Sequence, residues 1–151
     1  MSLRFPLVLG LLAVAAVSCR TYVPPARGAP GATGPTVAVE RFLRHAAAKE
    51  YSQMGWIFGT AQGPLLRRDP PAEVERRMYA LATVLEHTTF AVQGENPVPG
   101  RAGAAVQLPV RVVQRGRDYV VPFTAVRGPD GRWFIEQIGV EAITAQPPAV
   151  R

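Results

Sequence analysis

The chain has 151 residues, 48% of them hydrophobic, a single cysteine and a formal net charge of +6. That length suffices for one hydrophobic core, and the lone Cys19 excludes both an internal disulfide framework and a thiolate metal cluster. The basic excess is almost wholly arginine, with Lys49 the only lysine, and it is scattered along the chain as a solvated surface would be.

Arg4 gives a short positive start, and Phe5 to Val17 is an apolar run broken only by Pro6 and Gly10. A basic start, a short apolar stretch and a small-residue exit make a secretory signal over residues 1–18. Thirteen helical residues span about 20 Å, too little for a hydrocarbon core of about 30 Å, so a permanent transmembrane helix is not expected. Ala16-Val17-Ser18-Cys19 resembles the lipobox of bacterial lipoproteins. The resemblance implies that Cys19 is the lipid-attachment residue, carrying diacylglycerol on its sulfur and, after cleavage, an acyl chain (such as palmitate) on its amine. It also implies a cell-envelope address. Arg20 in place of an aspartate points to the outer membrane, facing the periplasm, if the organism has two membranes. The alternative is a plain signal peptide with a cysteine near its exit. Removing residues 1–18 takes away Arg4 and lowers the net charge by one.

Residues 19–35 (CRTYVPPARGAPGATGP) are rich in Pro, Gly and Ala and offer little to bury. They read as a flexible linker, able to hold a domain as far as about 50 Å from the membrane. The domain itself is expected over 36–145. Thr36 is placed to cap a first helix, with Val39, Phe42, Leu43 and Ala46 on its apolar face. Ser52 restarts a short helix that buries Met54, Ile57 and Phe58 and ends at Gly59, with Gly55 inside it as a cost. Asp69-Pro70-Pro71 opens a third helix with Val74, Met78, Leu81 and Leu85 in one stripe and a Glu73–Arg77 pair outside.

From His87 the apolar period becomes two. Thr88, Phe90 and Val92 mark a first strand, and a proline- and glycine-rich loop runs from Gly94 to Gly103. Val106, Leu108, Val110 and Val112 form one face of a second strand. A turn at Gly116-Arg117 is expected to set Val112 opposite Val121 and Val110 opposite Phe123. Pro109 and Pro122 are awkward inside a sheet. Gly128-Pro129-Asp130-Gly131 predicts a hairpin loop with Gly131 left-handed, which puts Trp133, Ile135 and Gln137 inward and Glu136 outward. Residues 146–151 read as a loose tail.

Helices followed by antiparallel strands with one apolar face predict an α+β fold, the N-terminal helices packed on a curved sheet of about four strands. VERFLRHAAAKEYSQMGWIFG and the closing RGPDGRWFIEQI resemble the NTF2-like (cystatin-like, SnoaL-like) superfamily. The resemblance implies a cone between helix and sheet that holds a pocket in some members, and it spans isomerases, dehydratases, carrier and assembly domains. Fold does not choose among them.

The inward residues that would line such a pocket include Tyr119, Phe123, Trp133 and Gln137, and none is an efficient base at neutral pH. His45 borders the first helix's apolar face and His87 reads as outward. The two sit on separate elements and carry no metal-ligand spacing. Ser52 lacks a nucleophile-elbow context, and no glycine-rich loop opens a helix. Arg111, Arg115 and Arg117 form one basic group at a hairpin tip. No catalytic residue, metal or cofactor is therefore expected. The reading is a lipid-anchored envelope protein with a non-catalytic binding or assembly domain. Its partners are the membrane, through the anchor, and an envelope protein or apolar small molecule. Nucleic acid is not expected at that address. The alternatives are a small isomerase or dehydratase acting on an apolar molecule, which needs an acid–base group in the cone, and a purely structural spacer.

Overall fold

In a computed structural model of the protein, residues 21–145 are described; the signal segment, Cys19 and the tail at 146–151 lie outside them. The fold is α+β. Three helices, α1 (Pro35–Ala47), α2 (Tyr51–Gly55) and α3 (Pro71–Val84), precede a mostly sequential antiparallel sheet, and a one-turn α4 (Glu141–Thr144) closes the chain. Between α2 and α3 a tight β1–β2 turn (Gly59–Thr60, Gly63–Pro64) leads into a 3-10 turn over Leu65–Arg67. The main sheet has five strands rather than four. β3 (Thr89–Val92), β5 (Ala105–Gln114), β6 (Arg117–Arg127) and β7 (Trp133–Ile138) lie in that order, and β4 (Asn96–Pro97) also pairs with β5. β4 falls in the stretch expected to be loop.

α1 lies across the sheet because the 3.6-residue period puts Ala38, Val39, Phe42, Leu43 and Ala46 on one buried face. Phe42 is its centre, packed edge-on against Phe123 of β6 (centroids 6.5 Å apart) and tilted against Phe58 (5.9 Å). Opposite stand Leu108, Val110, Val112, Val121 and Ile135, all fully buried.

Helix starts differ from expectation in their chemistry. Pro35, not Thr36, opens α1; Gly34 is the cap residue, and the Thr36 hydroxyl donates instead to Glu95 Oε1 at 2.7 Å. Pro71 opens α3 after Pro70, so Asp69 is not a cap; its carboxylate takes Arg77 at 3.4 Å, the partner expected for Glu73. α2 starts one residue before Ser52 and stops at Gly55, and Gly59 belongs to β1. Gly55 has a packing reason. A Cβ there would stand 2.6 Å from Val74 Cγ1 and 3.1 Å from Leu66, so the missing side chain lets α3 approach α2.

The β5–β6 hairpin turns on Arg115-Gly116, both with positive φ (51° and 75°), as a two-residue primed turn requires. Val112 therefore faces Tyr119, Val110 faces Val121 and Leu108 faces Phe123, two residues from the expected register. An even slip leaves every side chain on its expected face. The same register resolves the prolines. Pro109 and Pro122 face each other at a pair that exchanges no hydrogen bonds, so neither missing N–H interrupts this ladder. Their carbonyls point to the outer neighbours, accepting from Gln93 and Gly139. In the last hairpin Gly131 is left-handed (φ 76°) as expected, but a bulge near Thr124/Ala125 interrupts the pairing. Ile135 and Ile138 are buried, whereas Gln137 stands opposite Thr124, exposed rather than inward.

The segment read as a flexible linker is, from Pro24 onward, part of the fold. Gly31 N donates to Trp56 O, and Ala32 exchanges two backbone hydrogen bonds with Trp133 (2.9 and 2.8 Å). Together with a parallel bridge from Phe58 to Ile135, this covers the outer edge of β7. Ala32 is completely buried. The domain boundary thus moves back from Thr36 to about Pro24.

Candidate functional site

The four residues expected to line one pocket are not brought together. Phe123 is buried under Phe42, where it fills space rather than bounding it. Tyr119 is half-buried near the β5–β6 turn, and Trp133 is half-buried beside Ala32 at the far end of β6, opposite Arg127. The strand rise puts Tyr119 and Arg127 about 26 Å apart. Gln137 points to solvent. Among the described residues no polar or charged side chain is buried, and no buried side-chain nitrogen or oxygen lacks a partner. The space between helix and sheet is a hydrocarbon core.

Glu136, whose direction decides the enzyme reading, is taken by Arg101 through two hydrogen bonds (2.7 and 3.2 Å). The carboxylate holds the Arg101 guanidinium above its ordinary range, first by hydrogen bonding and then by charge. No contact joins it to Tyr119. Among the described residues no group of three His, Cys, Asp or Glu stands close enough to hold a metal ion. At the basic hairpin tip Arg111 is neutralised by Asp118 at 2.8 Å, and Gln114 caps the end of α3, donating to the carbonyls of Val84 and Glu86. His87 donates from Nδ1 to Leu85 O and stacks edge-on against Phe90.

The polar chemistry gathers instead where the N-terminal strap, Pro24–Gly34, crosses the helices. α1 ends in a left-handed turn: Lys49 has φ 57°, Lys49 N donates to Ala46 O and Glu50 N to His45 O. Those two bonds form a Schellman cap, with lysine where glycine is usual. The turn brings the Glu50 side chain back to His45, whose Nδ1 donates to Oε2 at 2.6 Å. The other Glu50 oxygen accepts from Arg27 of the strap. Glu50 is held below the ordinary carboxylate range by the His45 hydrogen bond first, with the charge of Arg27 and its hydrogen bond adding to it. Gln53 then clasps the strap from both sides, accepting from Arg27 N and donating to Pro25 O, and Trp56 Nε1 donates to Pro24 O at 2.9 Å.

A second clasp uses two arginines. Arg41 donates to Gly31 O (2.7 Å), and Arg132 reaches Gly31 O (3.0 Å) and Pro30 O (3.1 Å). Neither makes an ion pair among the described residues, so their charge is spent on peptide carbonyls. Burial first, and then the nearby Arg132 charge, lower the Arg41 pKa. Sequence reasoning missed both clasps; the one signal was Arg41, a charge set next to the buried Phe42.

Two clefts open on the outer face of the helices. The first runs along the strap and the start of α2, between Pro24 and Glu75, and shares Lys49 and Tyr51 with a second that passes Tyr79 to His87. Nothing in them lines up a nucleophile, a base and an oxyanion donor. Comparison with protein-family models and with curated proteins finds no match.

Proposed function

We propose that this chain is a lipid-anchored protein of the cell envelope whose NTF2-like domain works by binding or assembly and not by catalysis. One observation carries the second half: no polar or charged side chain is buried among the described residues, so the space under α1 offers no group whose pKa burial could tune for acid–base work. The isomerase or dehydratase reading needs an acid–base group in the cone, and Glu136, the carboxylate of β7, is committed to Arg101. α1 packed across an antiparallel sheet supports the NTF2-like assignment. Because Phe42, Phe58 and Phe123 occupy the interior, an envelope protein meeting the outer surface fits better than an apolar molecule inside the cone.

The first half rests on Ala16-Val17-Ser18-Cys19. Its test is the intact mass of membrane-extracted protein beside a Cys19→Ser variant. The expected result is a mass of residues 19–151 plus acyl chains, lost in the variant. An unmodified full-length product overturns the anchor and returns the basic charge to the centre of the question.

A further inference from the structure

We infer that the end of the domain formed by Pro24–Arg27 and the C-terminal turn of α1 is a bilayer-facing surface, held against the headgroup layer by a very short tether. The inference rests on the lipid anchor proposed above and deepens it. Its basis is where the strap begins. Trp56, Gln53 and Glu50 hold Pro24, Pro25 and Arg27, so the chain is fixed to the domain five residues after Cys19. Five fully extended residues reach about 17 Å, a third of the span that a free linker to Thr36 would allow.

The point of entry also sets the orientation. The strap joins the domain beside Glu50, just past the C-terminal turn of α1, and then runs back to Gly34 at the helix start. Ala48 and Val37 lie at these two ends of α1, about 16 Å apart at 1.5 Å per residue. With the anchor entering at Pro24, the Ala48 end lies toward the membrane and the Val37 end away from it. What this end presents suits a headgroup layer. Tyr22 and Val23 are 75% and 42% exposed, and tyrosine favours the membrane–water interface. Lys49 stands free of ion pairs among the described residues, whereas Glu50 and Glu75 already accept from Arg27 and Ser52. Proximity and the interfacial pair Tyr22-Val23 set the contact, with Lys49 available to an anionic headgroup because Arg27 is already paired with Glu50.

The test uses the full acylated chain reconstituted in phosphatidylcholine–phosphatidylglycerol vesicles that contain a headgroup nitroxide lipid. Since Cys19 sulfur is acylated, Ala48→Cys and Val37→Cys each supply one free thiol for a fluorophore at an exposed site. Intact mass is read first, and a chain without acyl groups overturns the anchor and this surface together. In acylated protein, the expected result is at least threefold stronger quenching at position 48 than at 37. Inserting about a dozen Gly/Ser residues before Pro24, enough to add roughly 40 Å of reach, should erase that difference. Equal quenching at the two positions in the uninserted protein overturns the surface while leaving the anchor standing. Weaker quenching at 48 than at 37 also overturns it, because the Val37 end of α1 then lies nearer the bilayer.

Discussion

The strap and the sheet core sit side by side and are held by opposite means. Between α1 and β5–β6 the stabilising quantity is apolar area: Phe42, Leu43, Leu108, Val110 and Phe123 are fully buried. Burial at about 25 cal/mol per Å² makes each of them worth kilocalories. The strap from Pro24 to Gly34 buries one small side chain completely, Ala32, and is otherwise gripped through its backbone by Trp56, Gln53, Arg41 and Arg132. Bonds of that kind net about 0.5–3 kcal/mol each when a charged donor is included. The core should therefore unfold as one unit, and the strap should be releasable without it.

Breaking the core gives the largest effect. Phe42→Ala removes a ring that touches both Phe58 and Phe123 and leaves a cavity that a rigid helix–sheet interface closes poorly. The expected loss is about 3–5 kcal/mol, read from the denaturant midpoint of the whole domain. If strap and core were one cooperative unit of equal standing, a strap mutation would cost as much.

Arg132→Ala is that strap mutation. It deletes the donors to Pro30 and Gly31 carbonyls while Arg41 still holds Gly31. The expected cost is about 1–2 kcal/mol, since a partly exposed carbonyl recovers water. It should fall on the strap alone. The amides of Gly31 and Ala32 should exchange faster, whereas those of Val121 and Phe123 should not change. Uniform acceleration across both regions would mean the strap is an integral layer of the core.

This contrast explains which parts could be read in the sequence. Elements with an uninterrupted period were legible, namely the α1 face, the α3 stripe and the alternation along β5 and β6, and the left-handed Gly131 was legible from its turn residues. The β5–β6 register was missed by two residues because an even slip leaves the apolar pattern unchanged. Gln137 was placed inward because the interruption near Thr124 adds a residue that alternation cannot foresee. The strap was missed for a deeper reason. A Pro/Gly/Ala segment has the same composition docked or free, and what docks it are carbonyls, which every residue has. The candidate site suffered likewise: Tyr119, Phe123 and Trp133 were given their face correctly, but neither their spacing along β6 nor the Phe42–Phe123 contact that fills the cone shows in alternation.

The smallest expected effect, and the finest separation of the two regions, comes from pH. Glu50 touches no core residue's polar group, yet it links His45 of α1 to Arg27 of the strap. An unfolded glutamate titrates near 4.3, and in the fold these partners hold Glu50 lower. A carboxylate depressed in the native state lends stability that is present above the unfolded value and lost as pH falls through the native one. Its contribution should thus be complete above about pH 5 and fade below 4. Glu50→Gln should be slightly less stable than the parent at neutral pH, and the two should converge in acid. Arg27 stays charged throughout, so what acid removes is the strap's outer clasp and not the arginine pair at Gly31. The Arg27 amide, bound to Gln53 Oε1, should lose its exchange protection on acidification before those of Gly31 and Ala32 do. If Gly31 and Ala32 loosened first, the arginine clasp would be the weaker of the two, and the strap would be released from the α1 start rather than from the end that enters at Pro24.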